Sequence, residues 1–109
     1  MERFVRGDVV VIPFPFSDLT QAKRRPALVL TVLPANDLIL CQITSQEIRD
    51  IYAVILQNED FEIGNLNRVS NIRPNRLFTA DANIVLYKVG NLTNNKMHET
   101  LKVVINLFQ

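Results

Sequence analysis

Ala27-Leu28-Val29-Leu30-Thr31-Val32-Leu33, Pro34-Ala35-Asn36-Asp37 and Leu38-Ile39-Leu40-Cys41-Gln42-Ile43-Thr44 follow one another without a gap. The outer segments are apolar and of strand length, while the four residues between them carry the Pro, Asn and Asp of a turn. The stretch predicts an antiparallel hairpin. Upstream, Val9-Val10-Val11-Ile12 is a β-branched run after Gly7-Asp8, and Pro13 and Pro15 then deny the ladder its donors, so a strand is expected to end near Pro13. The polar residues from Ser17 to Lys23 break the periodicity. They read as a loop that delivers Lys23, Arg24 and Arg25 to the head of the first hairpin strand.

Downstream, Ala53 to Leu56 reads as another short strand, and the acidic stretch ending at Gly64-Asn65 reads as a turn. Further strands are expected around Ser70 to Ile72, Leu77 to Thr79 and Ile84 to Val89. The ending differs in period. Met97, Leu101, Val104, Ile105 and Phe108 recur at helical spacing as one apolar stripe, with Thr93 able to cap the start. Many short, mainly antiparallel strands and one C-terminal helix predict an α+β fold, a compact barrel or curled sheet.

At 109 residues the chain has the usual size of one domain, expected to span 1–109. Hydrophobic residues at 48% and charged residues at 21% suit a packed protein without a long disordered tail. No apolar run approaches the roughly 20 residues of a membrane helix, and Arg3, Arg6 and Asp8 interrupt any leader-like core. A soluble, cytoplasmic protein with no membrane partner is expected. Cys41 is the only cysteine, which excludes an internal disulfide and reads as a packed thiol.

The net charge of +1 does not by itself point to nucleic acid, but its distribution is uneven. Lys23, Arg24 and Arg25 form one basic group, Arg68, Arg73 and Arg76 a second, and Glu59, Asp60 and Glu62 stand apart. No cluster of His, Cys or carboxylates has metal-ligand spacing, so neither metal nor cofactor is expected.

Gly7-Asp8-Val9-Val10, Pro13-Phe14-Pro15-Phe16 and Arg24-Arg25-Pro26-Ala27-Leu28-Val29-Leu30 closely resemble the MazF/PemK toxins. The resemblance continues in order through Gln42-Ile43-Thr44-Ser45, Leu77-Phe78-Thr79-Ala80-Asp81 and Val89-Gly90-Asn91-Leu92, and so covers almost the whole chain. It implies an SH3-like barrel, a homodimer, metal-independent cleavage of single-stranded RNA at short preferred sequences, and inhibition by a cognate antitoxin. It also places the family's catalytic arginine on Arg25 and its catalytic threonine on Thr44.

Those two residue types suit the chemistry. RNA carries its own nucleophile, the 2′-hydroxyl, so the enzyme has to align it and stabilise charge growing on the phosphate. Arg25 can offer two parallel donors from a permanently charged guanidinium, and Thr44 a hydroxyl. Lys23 and Arg24 are candidates to steer the RNA backbone, with Arg73 and Arg76 as further cations. Phe16, Ser45, Gln46 and Tyr52 are candidates to hold bases by stacking or by their edges. His98 is the only histidine and lies on the expected helix, so an acid and base pair of histidines is excluded.

One departure from the family stands at Phe78, where several members carry an arginine before the Thr of the Leu-x-Thr-x-Asp segment. Asp81 matches that segment's carboxylate. It is a possible supporting residue, although capping the following turn explains it at least as well. Two rival readings remain: a non-catalytic binder on the same barrel, as in the related gyrase-poisoning toxins, and a degenerate toxin that only binds its antitoxin. Joint dependence of activity on Arg25 and Thr44 separates the enzyme from both.

Overall fold

The computed structural model describes residues 3–14 and 23–109, with Phe14 described by its backbone alone. Seven strands precede one helix: β1 (Asp8–Phe14), β2 (Lys23–Val32), β3 (Asp37–Thr44), β4 (Val54–Leu56), β5 (Phe61–Gly64), β6 (Ser70–Asp81), β7 (Tyr87–Leu92) and α1 (Asn94–Asn106). They form one sheet in the order β4-β6-β3-β2-β1-β7-β5, and every pairing is antiparallel.

Both faces of the central strands are covered, which is why they are continuously apolar instead of alternating. In β3, Cys41 and Ile43 join a first core cluster while Leu38 and Leu40 join a second. In β1, Val9 and Val10 divide in the same way. The first cluster also takes Val54 and Leu56 from β4 and has Phe61 of β5 packed against it. Opposite edges of the sheet therefore share one core, and the sheet curls into a half-barrel of the SH3-like kind. Met97, Leu101 and Val104 of α1 pack onto this cluster. The helix begins where expected, with Thr93 Oγ1 accepting from the Lys96 amide at 3.2 Å.

The hairpin of β2 and β3 agrees with the sequence reading, with a 3-10 turn over Pro34–Asn36. Four details differ. β1 runs on through Pro13 to Phe14, because its pairing with β7 stops at Val11 and leaves it one partner beyond that point. β5 falls where the sequence predicts a turn, since Glu62 and the preceding Glu59 and Asp60 hide a short edge strand. The two strands expected around residues 70–72 and 77–79 are one strand, β6, interrupted where Gln42 pairs Arg73 and Cys41 pairs Leu77. Pro74, Asn75 and Arg76 bulge out there. The strand expected from Ile84 to Val89 starts later, at Tyr87, after a 3-10 turn over Ala82–Ile84.

The apolar stripe of the helix is also shorter than its periodicity suggests. Ile105 is 55% exposed and Phe108 77% exposed, while Val103 packs inward. Periodicity marks apolar positions but not how far the surface beneath them extends. No helix among the described residues is long and apolar enough to cross a membrane.

Candidate functional site

The head of β2 and the end of β3 lie side by side. Ala27 pairs Gln42 and Leu28 pairs Cys41, so the same antiparallel register carried two residues further sets Arg25 across from Thr44. These residues are 19 apart in sequence, and the hairpin brings them together. Both line an open cleft of about 260 Å³. Arg24, Arg25 and Pro26 form one wall, Ile43, Thr44 and Ser45 another, and Leu66, Asn67, Arg68 and Ser70, from the approach to β6, the third.

The cleft is cationic: among the described residues three arginines line it and no carboxylate does. Arg24, Arg25 and Arg68 make no ion pair among the described residues. Arg24 is exposed and Arg25 half-buried. Thr44 is 6% exposed, and its Oγ1 accepts from the Gln46 amide at 3.2 Å. On the far side of β3, Thr44 pairs Asn71, whose Nδ2 donates to the Gln46 carbonyl at 3.5 Å. Both contacts hold the bend at Ser45 and Gln46 against the sheet.

The structure brings Arg24, Arg25, Thr44 and Ser45 to the cleft and leaves other candidates outside it. Lys23 is exposed beside Arg24 at the head of β2. Gln46 adjoins the cleft without lining it, although its main chain holds Thr44. Arg73 is engaged elsewhere: its Nε and Nη2 both donate to Asp50 Oδ2 at 3.3 Å, a pair that pins residues 45–53 to β6. Tyr52, 41% exposed, follows that anchor, and its amide donates to Asp50 Oδ1 at 2.9 Å. Arg76 is exposed in the β6 bulge, and Phe16 lies outside the described residues.

Asp81 lies away from the cleft. It pairs Asp37 at the other end of β3, seven residues from Thr44, or about 23 Å at the usual rise per residue. Its carboxylate caps the following turn by accepting from the Asn83 amide at 2.8 Å. Phe78 pairs Leu40 and packs against the second core cluster, so the side chain in place of the family arginine is part of the apolar interior. His98 is exposed on α1. Cys41 is fully buried, and burial pushes its thiol up to about 12, which keeps it protonated and unreactive. No three His, Cys, Asp or Glu side chains are placed to hold a metal ion among the described residues.

Arg68, Asn67 and Ser70 were not among the candidate residues. Arg68 stood out in the sequence only as one of three nearby cations, and strand geometry separates it from Arg73 and Arg76. Another recess, of about 350 Å³, lies beside Phe4, Leu33 and Ala82, with Arg3 its only charged side chain among the described residues. It is larger but brings no set of reactive groups together.

Residues 5–108 match the family model described as PemK-like, MazF-like toxin of type II toxin-antitoxin system. Comparison with curated proteins returned no match. Among solved structures, the chain is similar to MazF from Deinococcus radiodurans, with a TM-score of 0.77, 19% identity, and coverage of 99% of this chain and 98% of that one. It is also similar to a chain of the MazE-MazF complex from the same organism, with a TM-score of 0.75, 17% identity and coverage of 99% and 97%. A mycobacterial endoribonuclease in complex with its cognate antitoxin gives a TM-score of 0.75 at 12% identity, with coverage of 99% and 95%. At these identities the structural likeness speaks for the fold.

Proposed function

Because the chain belongs to the PemK-like, MazF-like family of type II toxins, we propose that it is an endoribonuclease that cuts single-stranded RNA at preferred sequences without a metal ion. One observation carries this reading: Arg25 and Thr44, delivered by neighbouring strands, meet in an open cleft that, among the described residues, is lined by three arginines and no acid. A polyanion is the ligand such a cleft favours.

In the proposed reaction the 2′-oxygen attacks phosphorus and the bond to the 5′-oxygen breaks, leaving a 2′,3′-cyclic phosphate and a 5′-hydroxyl. Arg25 holds two oxygens of the scissile phosphate in its fork and stabilises the charge that grows there. Thr44 donates its hydroxyl to the same group. The 2′-hydroxyl loses a proton and the 5′-oxygen gains one. No histidine or carboxylate among the described residues lines the cleft, and in this reading water exchanges both. Arg24 and Lys23 draw in the RNA backbone, and Ser45 contacts a base edge.

The same reading makes the protein a single-domain cytoplasmic homodimer, held inactive by a cognate antitoxin. The antitoxin complexes among similar structures support that partner. The test is incubation of the purified protein with a long RNA in EDTA, followed by mapping of the new ends. Discrete cuts ending in cyclic phosphate are expected. Loss of cutting in EDTA with recovery in magnesium would refute the mechanism, and RNA binding without any cut would leave a non-catalytic toxin.

A further inference from the structure

Of the three arginines in the second basic group, one alone faces the cleft. Arg73 is spent on Asp50 and Arg76 sits in the β6 bulge, whereas Arg68 lines the cleft, exposed and without an ion pair among the described residues. Its base is fixed. The Ser70 hydroxyl, 2% exposed, donates to the Arg68 carbonyl at 3.0 Å, and Leu66 packs against the first core cluster two residues earlier. The segment is tied at both ends, with Gly64 paired to Gly90 and Ser70 to Leu56. On a pinned backbone the cation loses only side-chain freedom, and no main-chain freedom, when it binds an anion.

We propose that Arg68 binds a phosphate next to the scissile one, so that the cleft grips two consecutive phosphates of the RNA from different walls. This rests on the ribonuclease reading. Arg25 and Thr44 are occupied by the scissile group, Arg24 shares the wall of Arg25, and Arg68, from another wall of the same small cleft, meets the next phosphate along the strand. The role is binding and register, not charge stabilisation at the reacting phosphorus.

The experiment first maps a cut site with wild-type protein and then measures binding of a short RNA bearing a 2′-deoxy sugar at that site. Affinity is read by fluorescence anisotropy over a range of salt. Arg68→Gln is expected to weaken binding roughly tenfold, the scale of one charge-assisted contact. Its salt dependence should be shallower by about 0.7, the value for one phosphate contact on a single strand. Arg68→Lys should keep the wild-type slope. The maximal single-turnover rate on cleavable RNA should stay within about threefold of wild type, because a contact equal in ground and transition states leaves that rate alone. Lys102→Gln, an exposed charge on α1, serves as the control.

An unchanged slope in Arg68→Gln would overturn the proposal, as would a loss confined to the maximal rate. Weaker antitoxin binding with RNA binding intact would overturn it too, assigning Arg68 to the protein partner. If the wild type neither binds nor cuts RNA, the ribonuclease reading fails first and takes this proposal with it. That outcome shows in the wild type alone.

Discussion

The Gln46 amide donates to Thr44 Oγ1 at 3.2 Å, so the hydroxyl that lines the cleft already has an acceptor site filled by the protein. Its proton and one further lone pair remain available, and an anion in the cleft can accept only from the proton. Thr44 is therefore set up to donate toward an anion, and its rotor is restrained by the main chain beyond it. Thr44→Val, similar in shape but without the hydroxyl, is expected to slow single-turnover cleavage by about tenfold. It also leaves the Gln46 amide without its acceptor and should cost about 1 kcal/mol of stability. Thr44→Ser should recover most of the rate. A Thr44→Val protein that cuts at wild-type speed would remove the hydroxyl from the reaction.

Arg25 is half-buried at the strand head and makes no ion pair among the described residues, so its loss should spare the fold. Arg25→Ala is expected to lower the single-turnover rate on the order of 10²–10³-fold, the scale for one charge-stabilising donor. Arg25→Lys should recover only part of that, because ammonium keeps the charge without the fork. Melting temperature measured in parallel separates catalysis from unfolding. Wild-type cleavage by Arg25→Ala would move attention to Arg24.

Ile105 and Phe108 leave apolar surface exposed at the end of α1, and a small barrel gains burial by pairing. Light scattering should report twice the 12.5 kDa chain mass. A monomer at micromolar concentration that cleaves at full rate would remove the dimer from the functional account.

Gly64 and Gly90 cross where β5 meets β7, and a Cβ on Gly90 would overlap the Ile63 carbonyl oxygen. Gly90→Ala should destabilise the protein by about 3 kcal/mol, because backbone rather than a flexible side chain has to give way. Gly64→Ala should be worse, since Gly64 has φ +83 as well. Denaturant titration of both variants is the measurement, and unchanged midpoints would contradict the crossing.

Cys41 titrates at about 12 in the fold against an ordinary 9.0. The unfolded chain therefore ionises first as pH rises, and the sign follows: the thiol's contribution is intact below pH 9 and is lost between 9 and 12. Within that window this group should make stability fall as pH rises, a slope that Cys41→Ala should lack. A thiol reagent at pH 8 should find no reactive group until denaturant is added. Equal pH slopes for the two proteins would show that the thiol is not buried.

The resemblance to the MazF/PemK toxins singled out Arg25 and Thr44, and the sequence by itself determined the local structure: the hairpin of residues 27–44 and the capped terminal helix. Those features depend on neighbours within a few residues, on turn chemistry, β-branching and a cap, and such signals are written along the chain. Only the tertiary structure decided which cations share a site. Arg68, Arg73 and Arg76 look alike in sequence, yet one lines the cleft, one is neutralised by Asp50 and one rides a bulge. Asp81 was likewise separated from Thr44 by strand register. Those outcomes depend on pairings between distant strands and on where a bulge falls, and each extra residue in a bulge redirects the side chains after it.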